Sequence, residues 1–222
     1  MPPVSSKETL TEMAIERMTS EIVNGVLPPE RKLLVADLKA RYGMGASPLR
    51  EAMARLVSQG FVVFDRRRGF RVSPISQEDL EDLVSVRQSI EKSALELCLA
   101  KGDVEWEVGL VAAYARLERA VTGRAARDTP ESPTIENAHK QFHTALLAGC
   151  GSRRMLELHD LLYDQARRYR HLMMQRVQDL DHFLEIHRLL MESTLSRNPA
   201  KACPDLVNHI ALTLNNVYPA EP

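Results

Sequence analysis

The tightest constraint in this chain lies between residues 33 and 72, where two helical patterns split by a glycine turn run directly into a basic hairpin. Leu34, Val35, Leu38 and Tyr42 recur at helical spacing and are expected to face inward, and Gly43 stops that helix. Gly45 and Ala46 make a tight turn. Ser47 reads as the N-cap of the next helix and Pro48 as its first residue, where a missing N–H costs nothing. This helix is predicted over 47–59, ending at Gly60. Residues 61–64 and 70–72 read as short strands joined by the tip Asp65-Arg66-Arg67-Arg68-Gly69. Upstream, Leu10, Met13, Ala14, Ile15, Met18, Ile22 and Val23 predict a first helix over 7–24, closed by Gly25 and Pro28-Pro29. Three helices followed by a basic hairpin make the winged form of the helix-turn-helix.

Charge sharpens that reading. The 222 residues carry a net charge of −1, yet residues 31–73 hold ten Lys/Arg against three acids. A local excess of this size attracts a polyanion and speeds encounter with it. Its bland alternative is a solvated basic surface.

Pro74-Ile75-Ser76 marks a linker, placed at 74–78, between a DNA-binding domain (1–73) and a second domain (79–222). Beyond it no strand alternation survives. Helices are predicted near 76–101, 103–122, 131–149, 153–175, 177–196 and 200–217, separated by Gly102, Gly123, Pro130/Pro133, Gly149/Gly151 and Pro199. The expected fold class is therefore mainly α: a winged helix-turn-helix, then an all-α antiparallel bundle with its own core. The first residues lack the apolar run of a signal peptide, and no stretch approaches the roughly 18 apolar residues of a membrane span. Cys98, Cys150 and Cys203 are odd in number and show no CxxC spacing, as expected of reduced thiols in a cytoplasmic protein.

On a helical wheel, Leu49, Ala52, Met53, Leu56 and Val57 share one face of the 47–59 helix. Ser47, Arg50, Glu51, Ala54 and Ser58 lie opposite, with Arg55 on the flank. Small residues let a backbone approach the major groove, and Arg50 is placed to reach a phosphate or a guanine edge. Ser47 and the first-turn N–H groups suit a phosphate at the positive helix end. Arg31 and Lys32 are candidate phosphate contacts. Arg66, Arg67, Arg68 and Gly69 form a wing tip that can follow the backbone or enter the minor groove. The rival readings are a plain surface arginine at position 50 and an Arg55 that only pairs with Glu51.

The run PPERKLLVADLKARYGMGASPLREAMARLVSQGFVVFDRRRGFRV resembles the winged-helix domain of the GntR superfamily of bacterial regulators, with SPLREAM and the strand-RRRGF-strand wing carrying the likeness. Arg87-Gln88-Ser89-Ile90-Glu91 and Phe142-His143 resemble the helical FCD effector domain of its FadR-type branch. Many members carry an arginine where this chain has Ala46, so the base contact from that arginine is missing and the operator sequence does not carry over. The resemblance implies a homodimer on a pseudo-palindromic operator, relieved by a small-molecule effector.

It also implies a metal site. His139 and His143, at i and i+4, project from one helix face, and His187 and His209 lie on two later helices. Each alone reads more readily as an ordinary core or surface histidine. The FCD domain often holds a divalent metal through an Asp-xxx-His pair and one histidine from each of two later helices. By that resemblance His143, His187 and His209 are ligands, and His139 stands at the aspartate position. Four neutral imidazoles suit zinc or nickel better than magnesium or calcium, and their uncompensated cation would favour a small organic acid. The alternative is that His139 has left the shell. Arg87 either meets an acid ligand's second carboxylate or pairs with Glu91. His159, His171 and His182 read as ordinary residues, and Arg167, Arg168 and Arg170 as a solvated helix face, the rival being that one of the three arginines faces the pocket.

Two other readings compete. HKQFH has the helical spacing of a metal-dependent hydrolase, but the chemistry needs a glutamate after the first histidine, and Lys140 cannot serve as that base. A bundle that only dimerises would satisfy the same apolar helices.

Overall fold

The computed structural model describes residues 9–123, 133–174 and 179–219, the side chains of Pro133 and residues 171–174 excepted. The chain divides into two compact units, Met1–Ile75 and Ser76–Pro222.

The first unit holds α1 (Leu10–Val23), α2 (Val35–Tyr42), α3 (Ala46–Ser58), β1 (Val62–Asp65) and β2 (Gly69–Val72). Thr9 and Glu12 close a reciprocal capping box on α1, satisfying two of its free N–H groups. Ala14, Met18 and Ile22 of α1 are buried, as are Leu49, Met53 and Leu56 of α3, and the two helices pack together. Each large side chain removed from water in this way contributes about 1.5–3 kcal/mol. Gly43 ends α2 at φ 66°, a left-handed conformation that lets the chain reverse within the turn before α3.

Sequence and structure differ in three places here. The N-cap of α3 is Gly45, not Ser47, so Ala46, Ser47 and Pro48 form its first turn and Ser47 makes no side-chain cap. Proline is tolerated there because first-turn N–H groups have no intrahelical acceptor. Leu34 faces solvent and Leu33 is buried in its place, because residues 31–33 run beside β2. The Leu33 N–H donates to the Phe70 carbonyl at 2.9 Å and the Val72 N–H to that of Arg31 at 2.9 Å. Val57, expected inward, lies at the exposed margin of its face.

The second unit contains α4 (Gln77–Lys101), α5 (Val104–Thr122), α6 (Pro133–Leu147), a short 3-10 turn (Ala148–Cys150), α7 (Arg153–Met174), α8 (Leu180–Leu195) and α9 (Pro199–Val217). The winged helix-turn-helix followed by an all-α bundle is thus the fold of the chain. Helix α4 begins at Gln77, so the last two residues of the expected linker are helical. It packs against α7 and α9, while α5 packs against α6 and α8. Trp106 ties α5 to α6 through an indole N–H donated to the Ala145 carbonyl at 3.1 Å. A Cβ at Gly102 or Gly149 would lie 2.2 or 2.8 Å from that indole, so both positions need glycine. Among the described residues no helix is long and apolar enough to cross a membrane.

Candidate functional site

Two sets of charged residues occupy the two units. In the first, Arg31, Lys32, Ser47, Arg50, Arg55, Arg66, Arg67 and Arg68 are all exposed. Arg50 has no ion pair among the described residues, so its guanidinium is free for a partner outside the chain. Arg55 differs: its Nη2 lies 2.9 Å from Glu51 Oε1 one turn away, and Thr11 donates to the same carboxylate at 3.2 Å. The rival reading of Arg55 as a paired residue therefore describes its geometry. In the wing, the Arg67 and Arg68 N–H groups donate to Asp65 Oδ1 at 2.7 and 2.8 Å. These bonds tighten the tip and hold the Asp65 carboxyl below its usual pKa. Gly69 takes φ 76° opposite Asp65, completing a loop that presents three consecutive arginines.

In the second unit the four histidines converge. One ring nitrogen from each of His139, His143, His187 and His209 lies within 4.8 Å of the others. His143 Nε2 is 3.0 Å from His139 Nε2 and 3.3 Å from His209 Nε2. Helix spacing juxtaposes the first pair on α6, and only packing brings in α8 and α9. His139, His143 and His187 are buried, and His209 is partly exposed.

A hydrogen bond to a carbonyl assigns the tautomer of one of the four, His187. His187 Nδ1 donates to the Phe183 carbonyl at 2.6 Å, leaving its buried Nε2 without a partner. His139 Nδ1 lies 3.1 Å from the Tyr163 hydroxyl, and its Nε2 faces His143. Burial holds all four imidazoles below their ordinary pKa, His209 at about 3, and the neighbouring histidines and arginines add to the effect at His143 and His187. All four are therefore neutral near pH 7, the state a metal ligand requires. Four ring nitrogens grouped this closely, with the buried His187 Nε2 left without a partner, fit a cation. Nitrogens about 2.0–2.1 Å from zinc would stand about 3.3 Å apart, close to the two shorter separations seen here.

Around the cluster lie charges that the sequence reading missed or took for surface. Arg87 is buried and its Nε donates to Glu91 Oε1 at 2.7 Å. Burial alone would raise the Glu91 pKa, but Arg87 and His159 reverse this and hold it at about 2. His159 is no ordinary residue: it is buried with Nδ1 3.3 Å from Glu91 Oε1. Arg168 and Arg170 are buried and Arg167 is mostly so, which corrects the expected solvated face. Their helix presents that face to the bundle, and Glu136 receives Arg170 at 2.9 Å and Arg167 at 3.4 Å. The side chain of His171 lies outside the described residues.

A cavity of ≈ 210 Å³ adjoins the cluster, lined by His139, His187, His209, Arg170, His182 and Asn216 among others. His182, exposed, lines the same cavity. No sequence spacing marks Arg170, Tyr163 or Glu136. Their only signal was the clustering of arginines in a helix otherwise apolar on one face.

Residues 10–72 match the model of the family described as bacterial regulatory proteins, gntR family, and residues 82–212 match that of the FCD domain. The uncharacterized HTH-type transcriptional regulator BphR of Paraburkholderia xenovorans is 33% identical, covering 97% of this chain and 88% of its own. The HTH-type transcriptional repressor GlaR of Escherichia coli is 31% identical over 87% of this chain and 89% of its own. Among solved structures, Escherichia coli McbR/YncC superposes with a TM-score of 0.78 at 19% identity over 95% of this chain and 97% of its own, a likeness of fold. These families are families of transcription regulators and not of enzymes. The exposed basic α3 and wing, joined in one chain to a helical FCD domain, place it by sequence and by fold: the chain belongs to the GntR family of bacterial regulatory proteins and is a DNA-binding transcription regulator.

Proposed function

We propose that this regulator is a repressor that binds a pseudo-palindromic operator as a homodimer and is released by a small carboxylic acid held beside a divalent metal. Residues 1–73 read the DNA, 74–78 link, and 79–222 sense the effector and dimerise. One recognition helix reads only a few base pairs, so a two-fold pair gains affinity and specificity together. Arg50 reads a base edge or phosphate from α3, Ser47 and the first turn of α3 take a phosphate, and Arg31, Lys32 and the wing from Arg66 to Gly69 track the backbone. Arg55 contributes its charge from within its pair with Glu51. The repressor sense is supported by the description of GlaR as a transcriptional repressor.

One observation carries the effector reading: four histidine nitrogens lie within 4.8 Å of one another beside a cavity that a buried arginine also lines. His139, His143, His187 and His209 would hold the ion, and their all-nitrogen set suits zinc or nickel. The ion would supply positive charge that no carboxylate among these four offsets. The chain's own residues do the selecting. Arg170 presents a guanidinium with an unpartnered, buried Nε, while Arg87 is already committed to Glu91. An acid that binds the two dimer arrangements unequally shifts the population competent for DNA.

The test is a thermal-shift screen of metal-loaded and metal-stripped protein against mono- and dicarboxylic acids. Stabilisation by particular acids only in the metal-loaded form is expected. No shift in either form would overturn the acid-sensing reading and leave a bundle that only dimerises.

A further inference from the structure

Beside the four histidines, Glu136, Tyr163 and Arg170 form a linked set of polar groups, Tyr163 and Arg170 buried and Glu136 half-buried, that reaches His139 among the described residues. Glu136 lies one helical turn before His139 on α6, with Oε2 3.8 Å from His139 Nδ1. From α7, the Tyr163 hydroxyl reaches both groups, 3.1 Å from His139 Nδ1 and 3.4 Å from Glu136 Oε1. A phenol can accept the imidazole N–H and donate its own proton to the carboxylate, and those two bonds together select one tautomer of His139. Arg170 then anchors Glu136 at 2.9 Å while its guanidinium lies over the Tyr163 ring at 4.2 Å from the centroid. Tyr163 is fully buried and Arg170 nearly so, which keeps water from competing for these contacts.

The other three histidines have no such support. His187 Nδ1 donates to a backbone carbonyl, and the Nδ1 atoms of His143 and His209 are buried without a partner. Among the described residues, His139 is thus the one member of the cluster whose outer nitrogen reaches a carboxylate. It is also the member that stands where related domains are expected to carry an aspartate.

We infer that Glu136, acting through Tyr163, is a positioning residue for the metal site, orienting the His139 ring and holding its outer N–H so that the other ring nitrogen faces the ion. This rests on the metal reading above. A carboxylate behind a ligating imidazole fixes the ring and raises its basicity, and losing such a partner typically weakens metal binding roughly 10–100-fold. The rival account is that Glu136 only neutralises Arg170 and Arg167.

The two accounts separate on metal affinity. Full-length protein stripped of metal is titrated with Zn²⁺ in competition with a chromophoric chelator, and with Co²⁺ followed by its visible absorption. Glu136→Gln is expected to keep one ion per chain but bind it roughly 10–100-fold more weakly, with a shifted Co²⁺ spectrum. Tyr163→Phe should move both readouts the same way, and it serves where Glu136→Gln does not fold. Arg153→Ala, which removes an exposed pair with Glu157 at the start of α7, should move neither. Wild-type affinity and an unchanged Co²⁺ spectrum in Glu136→Gln or Tyr163→Phe would overturn the inference while leaving the metal site standing. If the wild-type chain takes up neither ion, the metal reading itself fails, and this assignment with it.

Discussion

The arginines of the two units stand in opposite surroundings. Arg50 and the wing residues Arg66, Arg67 and Arg68 are solvated, whereas Arg87 and Arg170 are buried, each holding a carboxylate at 2.7–2.9 Å. A guanidinium in water costs nothing to maintain and keeps its donors for a polyanion. A buried one must be paired, since an uncompensated charge in a low dielectric is strongly destabilising. The same residue type therefore means different things in the two units. In the first they are a surface held ready, and in the second they are an internal framework that places four neutral imidazoles around one point.

The largest effect should come from breaking the internal framework. Glu91→Ala strands Arg87 in the bundle, and a loss of about 3–5 kcal/mol is expected in denaturant unfolding of the second unit. A loss below about 1 kcal/mol would mean that Arg87 can reach water, erasing the contrast. The intermediate effect belongs to the surface. Arg50→Ala should weaken operator binding by about 1–3 kcal/mol with thermal stability unchanged, as read by titration of labelled operator DNA at fixed salt. Unaltered affinity would remove Arg50 from the reading face. The smallest effect should come from the exposed ion pair. Arg55→Ala should change stability by less than about 1 kcal/mol, because solvent screens the pair with Glu51. A larger loss would show that the Thr11–Glu51–Arg55 contacts act as one network joining α1 to α3.

The legibility of the two units in the sequence divides along the same line. The helix-turn-helix and wing were readable almost to the residue, because Gly43, Gly60 and Gly69 and the alternating apolar residues act through local backbone preferences. Where that reading slipped at Leu34, the cause was a contact from elsewhere; at Ser47 it was the local start of the helix. The pairing of residues 31–33 with β2 turned Leu33 inward, and the α3 helix started at Gly45 without needing a side-chain cap. In the second unit the six helices were equally legible. His139 and His143 were visible as an i, i+4 pair, and the resemblance added His187 and His209. Glu136 and Tyr163 behind them carried no signal, and Arg170 stood only as one of three arginines of which one could face the pocket.

The sequence by itself determined what depends on neighbours along the chain: the helices and their stops, the basic hairpin, and the face of α3 that stays polar. Only the tertiary structure decided that Arg170 and His159 are interior, that Arg87 belongs to Glu91, and that four histidines from three helices share one centre. The reason is physical. A helical wheel shows which residues share a face, but whether a charged face meets water or another helix depends on partners far away in the chain. The cost of burying charge is met only when those partners arrive together.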